Sequence, residues 1–249
     1  MASNTLSEPS VKLSVIVPTF NEESVIAETL QRAAETLAPC ELIVADGCSE
    51  DRTTECARPY ATVLALPMTR GAALNRAAMI STGDVLLFLH ADTMLPMGAA
   101  AAIAGALQMA DVIGGAFRLR FDHPGRMARL LSRHVNLRSS ISNTFFGDQA
   151  LFVRREVFVR AGGFKEWSVM EDVEILARLR AHGRLVLLDE EVVTSARRHR
   201  RSGWLRTIGT IWMMTLLHSL GVSGHAMRKW YKPQREGAPR DTRDNGAQQ

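Results

Sequence analysis

The chain is poor in the features that mark several large classes of protein. Only three of its 249 residues are cysteine (Cys40, Cys48 and Cys56), and no CxxC occurs. That set argues against a disulfide framework or a zinc site of the usual spacing and favours a reducing, cytoplasmic setting. Aromatic residues make up 6% and are not interleaved with the basic clusters, so the stacking pattern of a nucleic-acid binder is missing. No apolar run reaches the ~20 residues of a membrane-spanning helix. The opening MASNTLSEPSVKL has no apolar h-region, so no signal peptide is expected. A P-loop, a GxGxxG and a Ser–His–Asp arrangement are also absent, as is any internal repeat.

What remains is ample for one large domain. The chain is 46% hydrophobic, enough to bury a full core at this length. The net charge is +4, and much of the basic excess falls at 118–138 and 197–206. A local basic surface suits an anionic partner such as a diphosphate or an anionic lipid.

Three short apolar runs in the first hundred residues each lead to a carboxylate. LSVIVPTFNEE leads to Glu22, ELIVADGCSED to Asp46, and VLLFLHADT to Asp92. Such runs read as parallel strands buried on both faces. The predicted strands are 13–18, 41–45, 62–66 and 85–89, with helices at 22–37, 51–57, 72–80 and 97–109 between and after them. Asn21 is the expected cap of the first helix. This alternation predicts a doubly wound, mostly parallel α/β sheet with helices on both faces. In such a sheet the ligand crevice lies outside the carboxyl ends of the strands, so the three acids should share one edge. The second half is less regular. A long strand is expected at 112–121, a basic helix at 124–141, a strand at 149–154 and an amphipathic helix at 171–182, with short strands at 184–188 and 192–196. The segment 204–222 is mostly apolar with basic and aromatic flanks, which fits an interfacial helix or a helix packed on the domain or in a homodimer. The expected boundaries are a flexible 1–10, a domain at 11–202 with halves near 11–95 and 96–202, an apolar helical segment at 203–232, and a disordered tail at 233–249.

Taken singly, each candidate residue has a plain structural reading. Asp92 can bind Mg²⁺ or Mn²⁺, or it can cap a turn. Asp46, Ser49 and Asp51 can meet a base or ribose, or close a strand–helix junction. Glu22 and Glu171-Asp172 can be acids drawn to helix N-termini. Asp172 can equally be a general base. Arg70 can pair with phosphate or face solvent. His199, within Arg197–Arg201, can be a metal ligand or part of a solvated loop.

Their order is more specific. PTFNE, ADGCSED, TRGAALNRA, LFLHADT, GDQALFVRREVFVRAGGF and MED together resemble the family 2 glycosyltransferases over about 13–196. A compact bacterial subgroup associated with arsenosugar biosynthesis is similar too, in size and in GDQALFVRR. The resemblance implies the GT-A fold, a nucleotide-diphosphate sugar donor, a divalent cation (Mg²⁺ or Mn²⁺) and inversion at the anomeric carbon. It would place Pro18, Thr19 and Glu22 in the nucleoside pocket and Asp46 on the base or ribose. Arg70 and Gly71 would lie beside the nucleotide, with Ala91 and Asp92 in the DxD-type motif. Asp92 would hold the metal, joined by His199. Asp172 would be the catalytic base with Glu171 in support, and the Gly162-Gly163-Phe164 turn would shape the acceptor side. One position departs: His90 stands where the first acid of DxD is usual. The acceptor (small molecule, glycan or lipid-linked) is not encoded in any local pattern. Contact of 204–231 with the inner face of a membrane follows if that segment is interfacial. Two rivals stay open. A nucleotidyltransferase would need a Gly-rich loop after the first strand, where PTFNE stands. A non-catalytic nucleotide-binding protein at a membrane surface is motivated by His90 and by 204–222.

Overall fold

A computed structural model describes residues 11–167, 169–220 and 222–227. The expected flexible 1–10, the tail at 233–249 and the end of the 203–232 segment lie outside them.

The first half is a run of βα units. Strands β1 (Leu13–Thr19), β2 (Cys40–Asp46), β3 (Thr62–Ala65) and β4 (Val85–Phe88) alternate with helices α1 (Ile26–Leu37), α2 (Thr53–Ala57) and α3 (Arg70–Ile80). The two-residue β5 (Thr93–Met94), α4 (Ala99–Leu107) and the long β6 (Val112–Phe121) follow. Then come α5 (Arg126–Ser142), a 3₁₀ turn (Gly147–Gln149), β7 (Leu151–Arg154), α6 (Arg155–Arg160), α7 (Glu171–Arg180) and β8 (Arg184–Thr194). Helices α8 (Arg197–Ser202), α9 (Trp204–Ser219) and α10 (Gly224–Met227) close the described chain. The eight strands form one sheet in the order β3-β2-β1-β4-β7-β6-β8-β5. β3, β2, β1 and β4 are parallel, as are β6 and β8, whereas β7 runs antiparallel to both β4 and β6.

Strand residues alternate between the two faces. Val15 and Val17 pack with Leu30 and Ile103 on the α1/α4 side. Ile16 and Ile43 pack with Leu74, Phe158 and Ile175 on the α3/α6/α7 side. Each fully buried Leu, Ile or Phe contributes roughly 1.5–3 kcal/mol by removal from water, so both faces are secured by apolar burial.

Two expectations need correcting. Asn21 does not cap α1: it is buried in left-handed backbone (φ 55°), and the helix starts at Ile26. The strands expected at 184–188 and 192–196 are one strand, β8. Its register against β6 jumps from Phe117↔Leu188 to Arg118↔Glu191. The acids that break the apolar pattern there face solvent, where Asp189 meets Arg118 at 2.9 Å and Glu191 meets Arg120 at 3.6 Å. The short strand β5 and helix α6 lacked a clear periodic signal. Among the described residues no helix is long and apolar enough to cross a membrane. α9 has two kinds of surface: Thr207 and Met214 are buried, while Trp212 and Met213 are exposed.

Candidate active site

The first two strands end side by side. Thr19 and Asp46 are register partners, and Thr19 Oγ1 donates to Asp46 Oδ1 at 2.8 Å. The Asp46 carboxylate also accepts Ser49 N–H at 2.7 Å and Ser49 Oγ–H at 2.5 Å. The loops that follow are stitched together. Asn21 N–H donates to Ser49 Oγ at 2.8 Å, Glu50 N–H to Asn21 Oδ1 at 2.8 Å, and Glu22 N–H to Thr53 Oγ1 at 2.7 Å. Asp46 is wholly buried, so in this conformation it organises the loops rather than facing the cleft.

A cleft of 280 Å³ opens beyond the carboxyl end of β4. Arg70, His90, Asp92, Asp148, Glu171 and Asp172 line its polar part. Its apolar part comes from Phe121, Phe146, Val169, Met170 and Met214. A larger groove of 890 Å³ lies at the opposite end of β4, beside Gly83, Asp84 and Arg154. None of the expected site residues lines it, and the chemistry is in the smaller cleft.

Asp92 follows β4 and lies 4.0 Å from Arg197 Nη2. Burial raises its carboxyl above the ordinary range, opposed by Arg197 and Arg70. Arg197 also holds Glu22, Nη2 to Oε2, at 2.6 Å. His199, on α8 with Arg197, is buried, and its ring meets Phe121 edge-on at 4.8 Å between centroids. Asp92 and His199 therefore share the cleft wall. Among the described residues, no group of three or more His, Cys, Asp or Glu is arranged to hold a metal.

The position of His90 has a local explanation. Arg70 Nη2 meets His90 Nε2 at 2.5 Å, and Arg70 Nε pairs with Glu171 Oε1 at 2.7 Å. Arginine only donates, so Nε2 is the acceptor in this contact. Glu171 is buried, and burial pushes its carboxyl up to about 7 against the pull of Arg70. Asp172 follows it in the first turn of α7, a helix that starts directly after Met170, whose backbone is left-handed (φ 63°). Asp172 Oδ2 accepts Gly147 N–H at 2.6 Å and Oδ1 accepts Val173 N–H at 2.9 Å. Gly147 is needed at this approach: a Cβ there would stand 2.5 Å from His90 Nε2 and 3.2 Å from Asp172 Oδ2.

The cleft thus gathers Arg70, Asp92, Glu171, Asp172 and His199 from the expected site. Pro18, Thr19, Glu22, Asp46, Gly71 and Ala91 do not line it. Glu22 is linked to Asp92 on the cleft wall through Arg197. Ala91 is buried, and its carbonyl accepts Thr29 Oγ1 at 2.6 Å. Gly71 opens α3 against another loop. Its N–H donates to Trp167 O at 3.0 Å, and a Cβ would stand 2.0 Å from Lys165 O. Close packing, not contact with the cleft, accounts for this glycine.

Asp148 and Phe146 went unforeseen. Asp148 Oδ1 is buried and has no hydrogen-bond partner among the described residues. Burial pushes its carboxyl up to about 7. Arg138 lies 3.9 Å from the centre of the Phe146 ring. Gln149 anchors this turn: its Oε1 accepts Ser139 Oγ at 3.0 Å and Phe146 N at 3.2 Å, and its Nε2 donates to Phe117 O at 3.2 Å. The signal was GDQ in the sequence: a small residue for close approach, an acid for the cleft and an amide for the anchor.

The sequence profile of glycosyl transferase family 2 matches residues 14–165. The chain belongs to that family. A probable glycosyltransferase of Bacillus subtilis, YdaM, is 26% identical over 201 residues, covering 68% of this chain and 46% of YdaM. The chain thus spans less than half the length of that relative. The PGL/p-HBAD biosynthesis glycosyltransferase of Mycobacterium tuberculosis is 27% identical over 202 residues, 74% of this chain and 75% of that protein. Among solved structures, the mannosyltransferase PcManGT of Pyrobaculum calidifontis, in complex with GDP-Man and Mn²⁺, superposes with a TM-score of 0.57 at 23% identity. That match covers 74% of this chain and 56% of PcManGT. This likeness shows the fold, and it is the GT-A fold that the motif order implied.

Proposed function

We propose that the chain moves a sugar from a nucleotide-diphosphate sugar to an acceptor hydroxyl, with inversion and with Asp172 as general base. The observation that carries this reading is the meeting of Asp92, His199, Arg70 and Asp172 around one cleft beyond β4. PcManGT, with its GDP-Man and Mn²⁺, supports the choice of donor class and cation.

The donor set suits such a cation. Mg²⁺ and Mn²⁺ prefer oxygen ligands, Mn²⁺ also accepts an imidazole, and Mg²⁺ is commonly held by one or two carboxylates together with substrate phosphates. Asp92 and His199 are two donors in one wall, and a diphosphate would complete the set. When bound, the cation neutralises charge on the departing diphosphate. Arg197, within reach of Asp92, and Arg70 at the cleft add fixed positive charge on the same side. Asp172 accepts the proton of the acceptor hydroxyl as its oxygen attacks the anomeric carbon. The new C–O bond forms on one face while the bond to diphosphate breaks on the other, and the nucleoside diphosphate leaves with the electron pair. Glu171, held by Arg70, fixes the first turn of α7 and with it the Asp172 carboxylate.

A second assignment of the base has an observation of its own. Both oxygens of Asp172 accept backbone N–H groups, whereas Asp148 Oδ1 has no such partner among the described residues. The test compares Asp172→Asn with Asp148→Asn. Asp172→Asn should keep nucleotide-sugar binding, read by thermal shift, and lose about 10²-fold or more in turnover. Near-normal turnover in that variant, with loss in Asp148→Asn, would transfer the role to Asp148. Near-normal turnover in both would sink the mechanism.

A further inference from the structure

Helix α5 carries an exposed apolar stripe for which the transfer reaction has no use. Met127, Leu130, Leu137 and Ile141 are all exposed, at 40%, 62%, 61% and 77%. With His134 between them they recur at three- and four-residue steps, so they form one line along the helix. The opposite side, through Ala128, Leu131 and Val135, is already buried against Leu119 and Phe121 of β6. The stripe does not stop at the helix edge. His134 meets Trp212 of α9, ring centre to ring centre at 5.7 Å, and Trp212 is 60% exposed.

Charge indicates what covers this face. Arg126, Arg129 and Arg133 lie along one flank of the stripe by the 3.6-residue period, and all three are exposed. No Asp or Glu occurs in α5. A second copy docking through the same patch would bring these arginines together with no acid from the patch to answer them. An anionic phospholipid surface answers both features at once. Apolar side chains enter the boundary between headgroups and acyl chains, arginines meet the phosphates, and a tryptophan sits at the interface.

We infer that the α5 stripe, continued by Trp212, is a docking surface for an anionic phospholipid bilayer. This extends the sequence expectation for 204–231 to α5, whose sequence reads as a basic helix. It also bears on the acceptor. α5 leads into Phe146 and Asp148, and α9 supplies Thr207 and Met214, so the docking elements also build the apolar wall of the cleft. On the transfer reading, on which this last step rests, the acceptor is an amphiphile whose hydroxyl enters from the bilayer. Docking itself does not depend on that reading.

The test uses the full chain and vesicles of phosphatidylglycerol with phosphatidylcholine, against phosphatidylcholine alone, in a co-sedimentation assay. The wild type should partition onto the anionic vesicles and be released by salt. Leu130→Glu with Leu137→Glu should cut partitioning at least about ten-fold, since each buried leucine contributes about that factor. Arg129→Glu with Arg133→Glu should cost at least about five-fold per arginine. In all variants the thermal shift with a nucleoside diphosphate should be unchanged, which shows an intact fold independently of whether sugar transfer is found. Three results would overturn the inference: no partitioning by the wild type, partitioning untouched by both double variants, or a dimer that Leu130→Glu with Leu137→Glu dissociates without altering partitioning.

Discussion

Glu22 and Arg197, 175 residues apart in sequence, form an ion pair at 2.6 Å. The pair ties the loop after β1 to the start of α8, and the same guanidinium group stands 4.0 Å from Asp92. One arginine thus links the edge assigned to the nucleoside with the carboxylate assigned to the cation. On the proposed reaction, that is where the diphosphate would lie.

Arg197→Ala should therefore weaken nucleoside diphosphate binding about ten-fold or more, the scale of a hydrogen bond to a charged group. Glu22→Gln keeps the shape of the side chain and should have a smaller effect. Calorimetric titration with UDP and GDP measures both. Equal affinity in Arg197→Ala and wild type would reduce Arg197 to a strut between two loops.

The acids of the cleft set a pH dependence of stability. Asp148 and Glu171 both titrate near 7 in the folded chain, well above ordinary carboxylates, because they are buried. The folded state then binds protons that the unfolded state has already released. Stability from these groups is fully present below the ordinary carboxylate range and is lost as the pH rises through about 7. The melting temperature should fall across about pH 4.5 to pH 7 and level off above it. Asp148→Asn cannot ionise and should flatten that fall. An equally steep fall in the variant would mean that Asp148 carries its charge in the fold without penalty.

Much of this was readable from local pattern. β1, β2 and β4 showed as apolar runs because they are buried on both faces, and Asp92 and Asp172 showed through motif order. What was not readable depends on distance or on a local exception. No sequence window contains both Glu22 and Arg197. Asp148 lies in a 3₁₀ turn with no hydrophobic period to frame it, and that its Oδ1 has no hydrogen-bond partner among the described residues is a property of the folded cleft. β8 read as two strands because Asp189 and Glu190 fall where it bulges. Asn21 suited a helix cap by composition, but it serves the neighbouring loop instead, accepting Glu50 N–H.

Gly71 separates packing from binding. Its missing Cβ would stand 2.0 Å from the Lys165 carbonyl oxygen, a backbone atom that cannot swing aside. Gly71→Ala should destabilise the chain by about 1–3 kcal/mol through overpacking, seen as a lower midpoint in urea. At a temperature where the variant is still folded, its KM for the donor should stay near the wild-type value. A large rise in KM with an unchanged midpoint would instead put Gly71 at the nucleotide, as the motif resemblance had it.

His90→Asp tests why the first DxD acid is replaced. If the position were merely a lapsed metal ligand, restoring the acid should tighten Mn²⁺ binding ten-fold or more. The geometry argues otherwise. Position 90 faces Arg70, which already answers Glu171 at 2.7 Å. A carboxylate there would pair with Arg70 in place of imidazole and draw the guanidinium from Glu171. Glu171 would then be left buried with less compensation, at a cost to folding. The expected outcome is a lower melting temperature with no gain in Mn²⁺ affinity in the presence of a nucleoside diphosphate. Titration of Mn²⁺ by electron paramagnetic resonance, beside a thermal melt, reads both. Tighter Mn²⁺ binding with an unchanged melt would show that position 90 faces the cation after all and that Arg70 yields to it.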